Sequence, residues 1–429
     1  MKITLLVTSL KEDELHKRQL PLGVGYLAAY VEKHLPDVTV DITADINDIF
    51  LQKPDLVGIS SVSQCFNAAL EYARKIKKHL AIPVLLGGYH VTSLPQQLPI
   101  CFDAGVIGEG ETTFLNLVRL LQDEGVFSPS SLGHIPGICY HDKSGAVKIT
   151  EPVEPLSSID LLPYPKRNIS PGAKNIFQFS SRGCIYRCKF CASSRHWKKF
   201  RPHSAAYFVQ ELKYLRETYD ATSIHLLDDL FFADPKRVRE IVTMMRTEGL
   251  AGQFRFDSFI SSNLASRDIL LMAKEMGFTS MKFGGETGSD RLLKAIKGPH
   301  ASVAHHQRCI NLCRELGLDV RASFIFGSPG ETEEDLELTY QFLKRNKGVL
   351  KIHGFYLTMP IPGTPYWDLA MQKGLVSEDM DWSRLNIDYL KEESFDLEQA
   401  IYLNEENVSR ATLRHYFETF RKEFEFFQG

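Results

Sequence analysis

The sequence predicts an α/β protein in two parts, a parallel-sheet domain followed by a partial barrel of six β/α units. Three observations carry this expectation. Short apolar runs alternate with helical stretches twice, once before residue 128 and again after residue 173. A segment rich in Ser and Pro separates the two series. Small residues gather at the carboxyl ends of the early apolar runs, where sheets of this kind bind ligands.

Composition sets the bounds. At 429 residues the chain exceeds one small domain, and 44% hydrophobic content supplies a sizeable core. Lys and Arg total 50 against 53 Asp and Glu, a net charge of −3, which argues against a general nucleic-acid binder. No apolar stretch approaches the ~20 residues that span a bilayer. Met1 to Val7 is apolar, but Lys11, Glu12, Asp13 and Glu14 follow where a cleavage site needs small residues. That run therefore reads as a first strand, and the protein as cytoplasmic.

In the first domain, residues 1–128, the expected strands are Ile3 to Leu10, Val38 to Thr43, Asp55 to Val62, Pro83 to Gly88 and Ala104 to Gly110. Helices fall at Gly23 to His34, Asn67 to His79 and Thr112 to Gln122. The middle helix places Ala69, Tyr72, Ala73 and Ile76 on one face. Alternation of this type implies a parallel sheet covered on both faces. Ser60, Ser61, Ser63, Gly87, Gly88, Gly108 and Gly110 stand at the strand ends and together point to a ligand.

Residues 129–172 read as a linker carrying a hairpin, Gly137 to Thr150, that turns near Asp142 to Gly145. In residues 173–370 the expected strands are Ile176 to Ser181, Ser223 to Asp228, Gln253 to Ile260, Ser280 to Gly285, Asp319 to Phe326 and Gly354 to Met359. Six units fit a partial TIM-like barrel. Residues 371–429 are expected to be a mainly helical cap. There Glu405 to Phe427 forms a helix whose Val408, Leu413, Phe417, Phe420 and Phe424 join the core.

The cysteines locate the chemistry. Three of the eight lie in Arg182-Gly183-Cys184-Ile185-Tyr186-Arg187-Cys188-Lys189-Phe190-Cys191, directly after an expected strand. Three thiolates on one loop each ligate one iron of a [4Fe–4S] cubane, which normally takes four cysteines. The fourth iron is then open, as a catalytic metal requires. Zinc is the competing occupant, but zinc spacing pairs CxxC with a second ligand pair. Only His196 and His203 stand nearby, and Cys309 and Cys313 fall on a distant expected helix.

The segment resembles the radical S-adenosylmethionine (SAM) enzymes, whose signature is CxxxCxΦC with an aromatic Φ, here Phe190. Asp228-Asp229-Leu230-Phe231 is similar to the family's element after the second barrel strand. Phe283-Gly284-Gly285-Glu286-Thr287-Gly288-Ser289 and Phe324-Ile325-Phe326-Gly327-Ser328-Pro329-Gly330-Glu331-Thr332 resemble those after the fourth and fifth. The resemblance implies that Cys184, Cys188 and Cys191 hold the cluster and that the open iron binds the amino and carboxylate groups of SAM. It places Phe190 beside the adenine, Glu286 on the ribose hydroxyls, and Asp228 and Gly285 near the methionine end. Ser289 and Arg321 would meet the methionine carboxylate.

The first domain resembles the Rossmann-like cobalamin-binding domain of one radical SAM branch. Pro21 to Ala29, Leu85 to His90 and Val106-Ile107-Gly108-Glu109-Gly110-Glu111 are similar to its recurring elements. This resemblance adds Glu109 to the corrin-facing set. The DxHxxG motif that supplies a lower axial histidine elsewhere is absent from the first strand–helix loop, and His90 is the one tempting substitute. Cys65, Cys101 and Cys139 are spaced loosely like the second-cluster cysteines of methylthiotransferases. Those begin on the first strand, however, so here the three read as plain thiols. The basic run Arg195 to Arg201 either orders the cluster loop or meets a substrate anion.

Together the resemblances imply an enzyme that uses a [4Fe–4S] cluster and SAM to make a 5′-deoxyadenosyl radical, with cobalamin-dependent C-methylation of an unactivated carbon as the leading reaction. Radical cyclisation, rearrangement or oxidation is the alternative, and a cobalamin or Fe–S sensor the non-enzyme reading. The implied partners are a small-molecule or peptide substrate and a reductant such as flavodoxin or ferredoxin. No nucleic acid and no transmembrane segment are expected.

Overall fold

The computed structural model describes residues 1–8, 19–387 and 396–424. The chain divides into two compact units, Met1–Ser170 with Glu378–Arg384, and Pro171–Ser377 with Leu385–Gly429.

The first unit is built on β1 (Lys2–Val7), β2 (Thr39–Thr43), β3 (Leu56–Ser60), β4 (Val84–Gly87), β5 (Ala104–Val106), β6 (Ile138–His141) and β7 (Val147–Ile149), in the order β2-β1-β3-β4-β5-β6-β7. The first five strands are parallel. Consecutive residues Leu5, Leu6 and Val7, and again Val84, Leu85 and Leu86, are buried, as a sheet covered on both faces demands. Strand order reverses at β1, so the crevice at the ends of β1 and β3 is the position where such sheets bind ligands.

The expected hairpin exists but is not a separate linker feature. Gly105 pairs with Cys139 and Val106 with Ile138, so β6 extends the first sheet antiparallel to β5, β7 pairs antiparallel with β6, and the hairpin covers the edge of β5. The chain then returns along the helix Leu22–His34, where the Lys166 N–H donates to Gly25 O at 3.0 Å. A Cβ at Gly25 would lie 2.4 Å from the Lys166 carbonyl oxygen, so glycine is required for this approach.

In the second unit β8 (Asn175–Gln178) pairs with β11 (Ser223–Leu226) and β11 with β12 (Arg255–Asp257). Likewise β13 (Ser280–Glu286) pairs with β14 (Asp319–Phe326), and β14 with β15 (Leu350–Leu357). All are parallel, and single bridges Phe256↔Phe278 and Phe259↔Lys282 join the two groups into the six-stranded partial barrel. β14 shows its two faces. Val320, Ala322, Phe324 and Phe326 are buried, and Phe324 and Phe326 meet Phe342 and Phe420 on the outer helices. Alternation puts Arg321, Ser323 and Ile325 on the concave face. There the Phe259 ring lies 5.0 Å from Lys282 Nζ and edge-on to His353 at 5.5 Å.

Three expectations are corrected. β15 begins at Leu350, not Gly354, because Gly354 sits inside the strand beside a bulge between Ala322 and Ser323 of its partner. β12 is shorter than Gln253 to Ile260. The C-terminal region is mostly irregular: between Lys373 and Ser409 the described residues hold only the 3₁₀ turn Trp382–Leu385. The terminal helix starts at Arg410, where Ser409 Oγ accepts the Thr412 N–H at 3.1 Å. Its Phe417 and Phe420 pack on Phe326 and Phe355, as expected of core aromatics. The last two residues of the expected first strand, the loop after it and Phe427 lie outside the described residues. Among the described residues no helix is long and apolar enough to cross a membrane.

Candidate active site

The cysteine loop leaves the end of β8 and is closed at its base. β9 (Ser181–Arg182) pairs antiparallel with β10 (Arg201–Pro202), framing residues 183–200. Gly183 has φ 87°, and a Cβ there would lie 2.6 Å from Lys199 O. Arg187 spans the loop, donating to Ser194 O at 2.7 Å and Lys198 O at 3.2 Å. Ser193 Oγ donates to Asp229 at 2.5 Å, and the Lys189 N–H to Ile296 O at 2.8 Å. The basic run Arg195 to Arg201 thus helps to frame the loop, through the Lys198 and Lys199 carbonyls.

Cys184, Cys188 and Cys191 are half-buried free thiols on this loop. Burial pushes all three thiols up, Cys188 to about 12, so metal must displace protons to bind them. Among the described residues no three His, Cys, Asp or Glu groups converge on one ion position. Cubane ligands have no such need, because each holds a different iron. Cys309 and Cys313 are fully buried on the helix Val303–Glu315. Cys65 and Cys139 are buried in the first unit.

Glu286 ends β13 with φ 60°, a left-handed conformation that costs a non-glycine residue on the order of 1 kcal/mol. Its Oε1 accepts from Lys297 Nζ at 2.9 Å, and Lys297 also donates to Gly284 O at 2.9 Å. A Cβ at Gly284 would fall 2.1 Å from Glu286 Oε1, so glycine leaves room for the pair. Burial works against the Lys297 charge, but Glu286 and the neighbouring Cys188 hold its pKa above the ordinary lysine value. Sequence reasoning missed Lys297, since a lysine closing a helix reads as a surface cap.

The other expected SAM residues divide. Gly285 lies beside Glu286, where a Cβ would press on the Phe324 ring at 3.1 Å. Phe190 is half-buried on the cysteine loop. Asp228 was expected near the methionine end, but its carboxylate accepts the N–H groups of Ser180 at 2.6 Å and Ser181 at 3.1 Å, and the Ser180 hydroxyl. It anchors the base of the cysteine loop. Ser289 is a buried N-cap whose hydroxyl accepts the Leu292 N–H at 3.3 Å. Arg321 pairs in register with Lys282, whereas Glu286 pairs with Phe324. Arg321 thus lies roughly 10 Å further down the barrel, at ~3.3 Å per strand residue, and is not brought to the Glu286 site.

In the first unit the predicted strand-end residues come together at the ends of the adjacent strands β3, β4 and β5. Gly87 and Gly108 present open backbone, with nothing within 4 Å of a built Cβ. Ser60, Glu109 and Gly110 are half-exposed beside them, and a Cβ at Gly110 would meet Leu27 at 3.1 Å. Ser61, Ser63 and Gly88 serve packing. The Ser61 N–H donates to Gly87 O at 3.1 Å, Ser63 Oγ lies 3.2 Å from His90 Nδ1, and a Cβ at Gly88 would fall 2.7 Å from Ser61 O.

Residues 14–118 match the B12 binding domain and residues 179–343 the radical SAM superfamily. An uncharacterised methyltransferase of Pyrococcus horikoshii is 33% identical over 85% of this chain and 81% of its own. The chain belongs to the radical SAM superfamily. A cytidylyl-2-hydroxyethylphosphonate methyltransferase of Streptomyces wedmorensis is 25% identical to it over 90% of this chain and 84% of that one. The fold of this radical SAM protein is also that of the radical SAM methyltransferase TsrM from Kitasatospora setae, solved with cobalamin and a [4Fe–4S] cluster (TM-score 0.71, 20% identity, 87% of this chain and 75% of that one). Membership brings a [4Fe–4S] cluster and SAM, and the B12 binding domain brings cobalamin. The residues fit both groups: three free thiols on one closed loop, and open glycine backbone at the parallel strand ends.

Proposed function

We propose that this enzyme transfers a methyl group to an unactivated carbon of a small molecule or peptide, with cobalamin as the methyl carrier. The observation that supports it is the presence in one chain of a three-cysteine loop on a barrel and a parallel sheet with open strand ends. When bound, the cluster supplies the electron that splits SAM to a 5′-deoxyadenosyl radical, and cobalamin supplies the methyl group.

The chain's own residues bind and orient. Cys184, Cys188 and Cys191 would hold the cluster and leave one iron for the amino and carboxylate groups of SAM. Lys297 occupies Glu286 Oε1, and Oε2 has no protein donor among the described residues. That oxygen accepts from the ribose hydroxyls. Phe190 lies beside the adenine, and Gly285 near the methionine end. Gly87, Gly108, Glu109, Gly110 and Ser60 would line the corrin, while Ser61, Ser63 and Gly88 hold those turns in shape. The free thiols and the need for an electron fit the cytoplasm, with a flavodoxin or ferredoxin as donor.

A second reading, radical cyclisation, is favoured by one comparison: an anaerobic magnesium-protoporphyrin IX monomethyl ester cyclase of Rubrivivax gelatinosus is 25% identical over 85% of this chain. The deciding experiment gives the reconstituted enzyme cobalamin, SAM and reductant. Methylation of the reduced cobalt with release of S-adenosylhomocysteine is expected. Formation of 5′-deoxyadenosine with cobalt never methylated would overturn methyl transfer and leave cyclisation.

A further inference from the structure

The cysteine loop and the Glu286 carboxylate are joined through one short stretch of chain. The helix Asp290–Ile296 ends under the loop, where its Ile296 carbonyl accepts the N–H of Lys189, the residue after Cys188. The next residue is Lys297, whose side chain is 11% exposed and whose ammonium reaches Gly284 O and Glu286 Oε1, both at 2.9 Å. The ring of Tyr186, also on the loop, stacks on His300 at 3.7 Å, three residues further on. One turn of chain thus touches the loop through its backbone and the carboxylate through its side chain.

Charge gives this arrangement a consequence. A [4Fe–4S] cluster on three thiolates is net negative, and more so after reduction. The Glu286 carboxylate beside it adds charge of the same sign. A carboxylate this buried, 7% exposed, is costly to leave without a partner of opposite charge. Lys297 is that partner. Its backbone neighbour Ile296 is the residue that holds the loop at Lys189, next to Cys188, so the lysine charge lies close to the cysteine loop.

Building on the reading above, we infer that Lys297 is a positioning residue for SAM and the cluster: it keeps Glu286 paired and aimed at the ribose, and its charge eases reduction of the cluster. A local cation favours the more negative state of a redox centre, as it favours any anion.

The test uses the anaerobically reconstituted full chain with Lys297→Met, Lys297→Arg and the double variant Glu286→Gln/Lys297→Met. Iron and sulfide content, the cluster midpoint potential and the SAM dissociation constant are measured. Lys297→Met should keep its cluster, bind SAM at least about tenfold more weakly, and lower the midpoint by about 59 mV, tenfold in a one-electron equilibrium. Lys297→Arg should recover most of both. The double variant should regain the potential, since the unpaired carboxylate is gone, yet still bind SAM weakly. If Lys297→Met loses its cluster, recovery in the double variant supports the inference and a second loss overturns it. Potential and SAM affinity within twofold of wild type in Lys297→Met overturn it while the proposed function stands. Wild-type protein that assembles no cluster or binds no SAM sinks that function and this inference together.

Discussion

The His90 imidazole lies flat on the Phe66 ring, with centroids 3.6 Å apart and planes 21° from parallel. Trp382 closes over it edge-on at 4.5 Å, and Nδ1 meets Ser63 Oγ at 3.2 Å. The side chain is 2% exposed, and burial lowers its pKa to about 3, so it stays neutral. A histidine packed this way fills the core of the first unit and does not reach for cobalt. His90→Leu should therefore leave the absorption and paramagnetic spectra of bound cobalamin unchanged. It should cost about 1–3 kcal/mol in chemical unfolding, through the lost Ser63 partner and ring stacking. Loss of a nitrogen-ligand signature in the variant would reverse the assignment.

Gly87 and Gly88 are neighbours with opposite expectations. Gly87→Phe places its side chain in open space, so the fold should survive and cobalamin should not bind. Gly88→Ala meets Ser61 O at 2.7 Å from a backbone at φ 95°, so it should lose stability first. Bound corrin after gel filtration and the melting temperature separate the two effects. Normal cobalamin binding by a folded Gly87→Phe protein removes Gly87 from the corrin surface.

The three loop cysteines should be individually essential for the cluster. Cys184→Ala, Cys188→Ala and Cys191→Ala should each abolish the [4Fe–4S] absorbance and iron content. Cys309→Ala and Cys313→Ala should not, because both thiols are shut inside a helix core. Asp228→Ala should lower cluster yield without removing a ligand, since Ser180 and Ser181 then lose the acceptor for their N–H groups. Full cluster content in any of the three loop variants is incompatible with the site.

What the sequence made legible was local. The CxxxCxxC spacing, the alternation of the barrel strands and the glycines at strand ends all lie within short windows, and the structure keeps the six barrel strands, with β12 shorter and β15 earlier than expected. Relations across the chain were not legible. Asp228 looks like a ligand-facing acid until β8 is laid beside β11 and its carboxylate meets Ser180. Lys297 looks like Lys294, a few residues earlier, until the turn after Glu286 folds it inward. The β6–β7 hairpin looked like a linker because its pairing with β5 reaches back across an intervening helix and a turn-rich stretch. The C-terminal region looked helical from its aromatics, but Asn404 is committed to Gly330 and Glu331, which interrupts any regular helix there.

The last expectation concerns Glu331, which follows β14 in the Gly327 to Thr332 turn and is fully buried. Its Oε2 accepts the Gly327 N–H at 2.6 Å, and Oε1 has no hydrogen-bond partner among the described residues. Burial, with Asp335 adding to it, raises the pKa to about 8. The folded protein therefore holds a proton here that the unfolded chain releases near pH 4.5. Between those values the folded state binds more protons, so stability falls as pH rises from about 5 to 8. The whole shift corresponds to on the order of 5 kcal/mol. Glu331→Gln keeps an acceptor for Gly327 and has no proton to lose. Urea unfolding of both proteins from pH 5 to pH 9 isolates the group, since all other titrations are shared. The variant should gain on wild type steadily from pH 5 to about 8 and level off above that. A difference that stays constant with pH would mean that the Glu331 carboxyl is ionised in the fold.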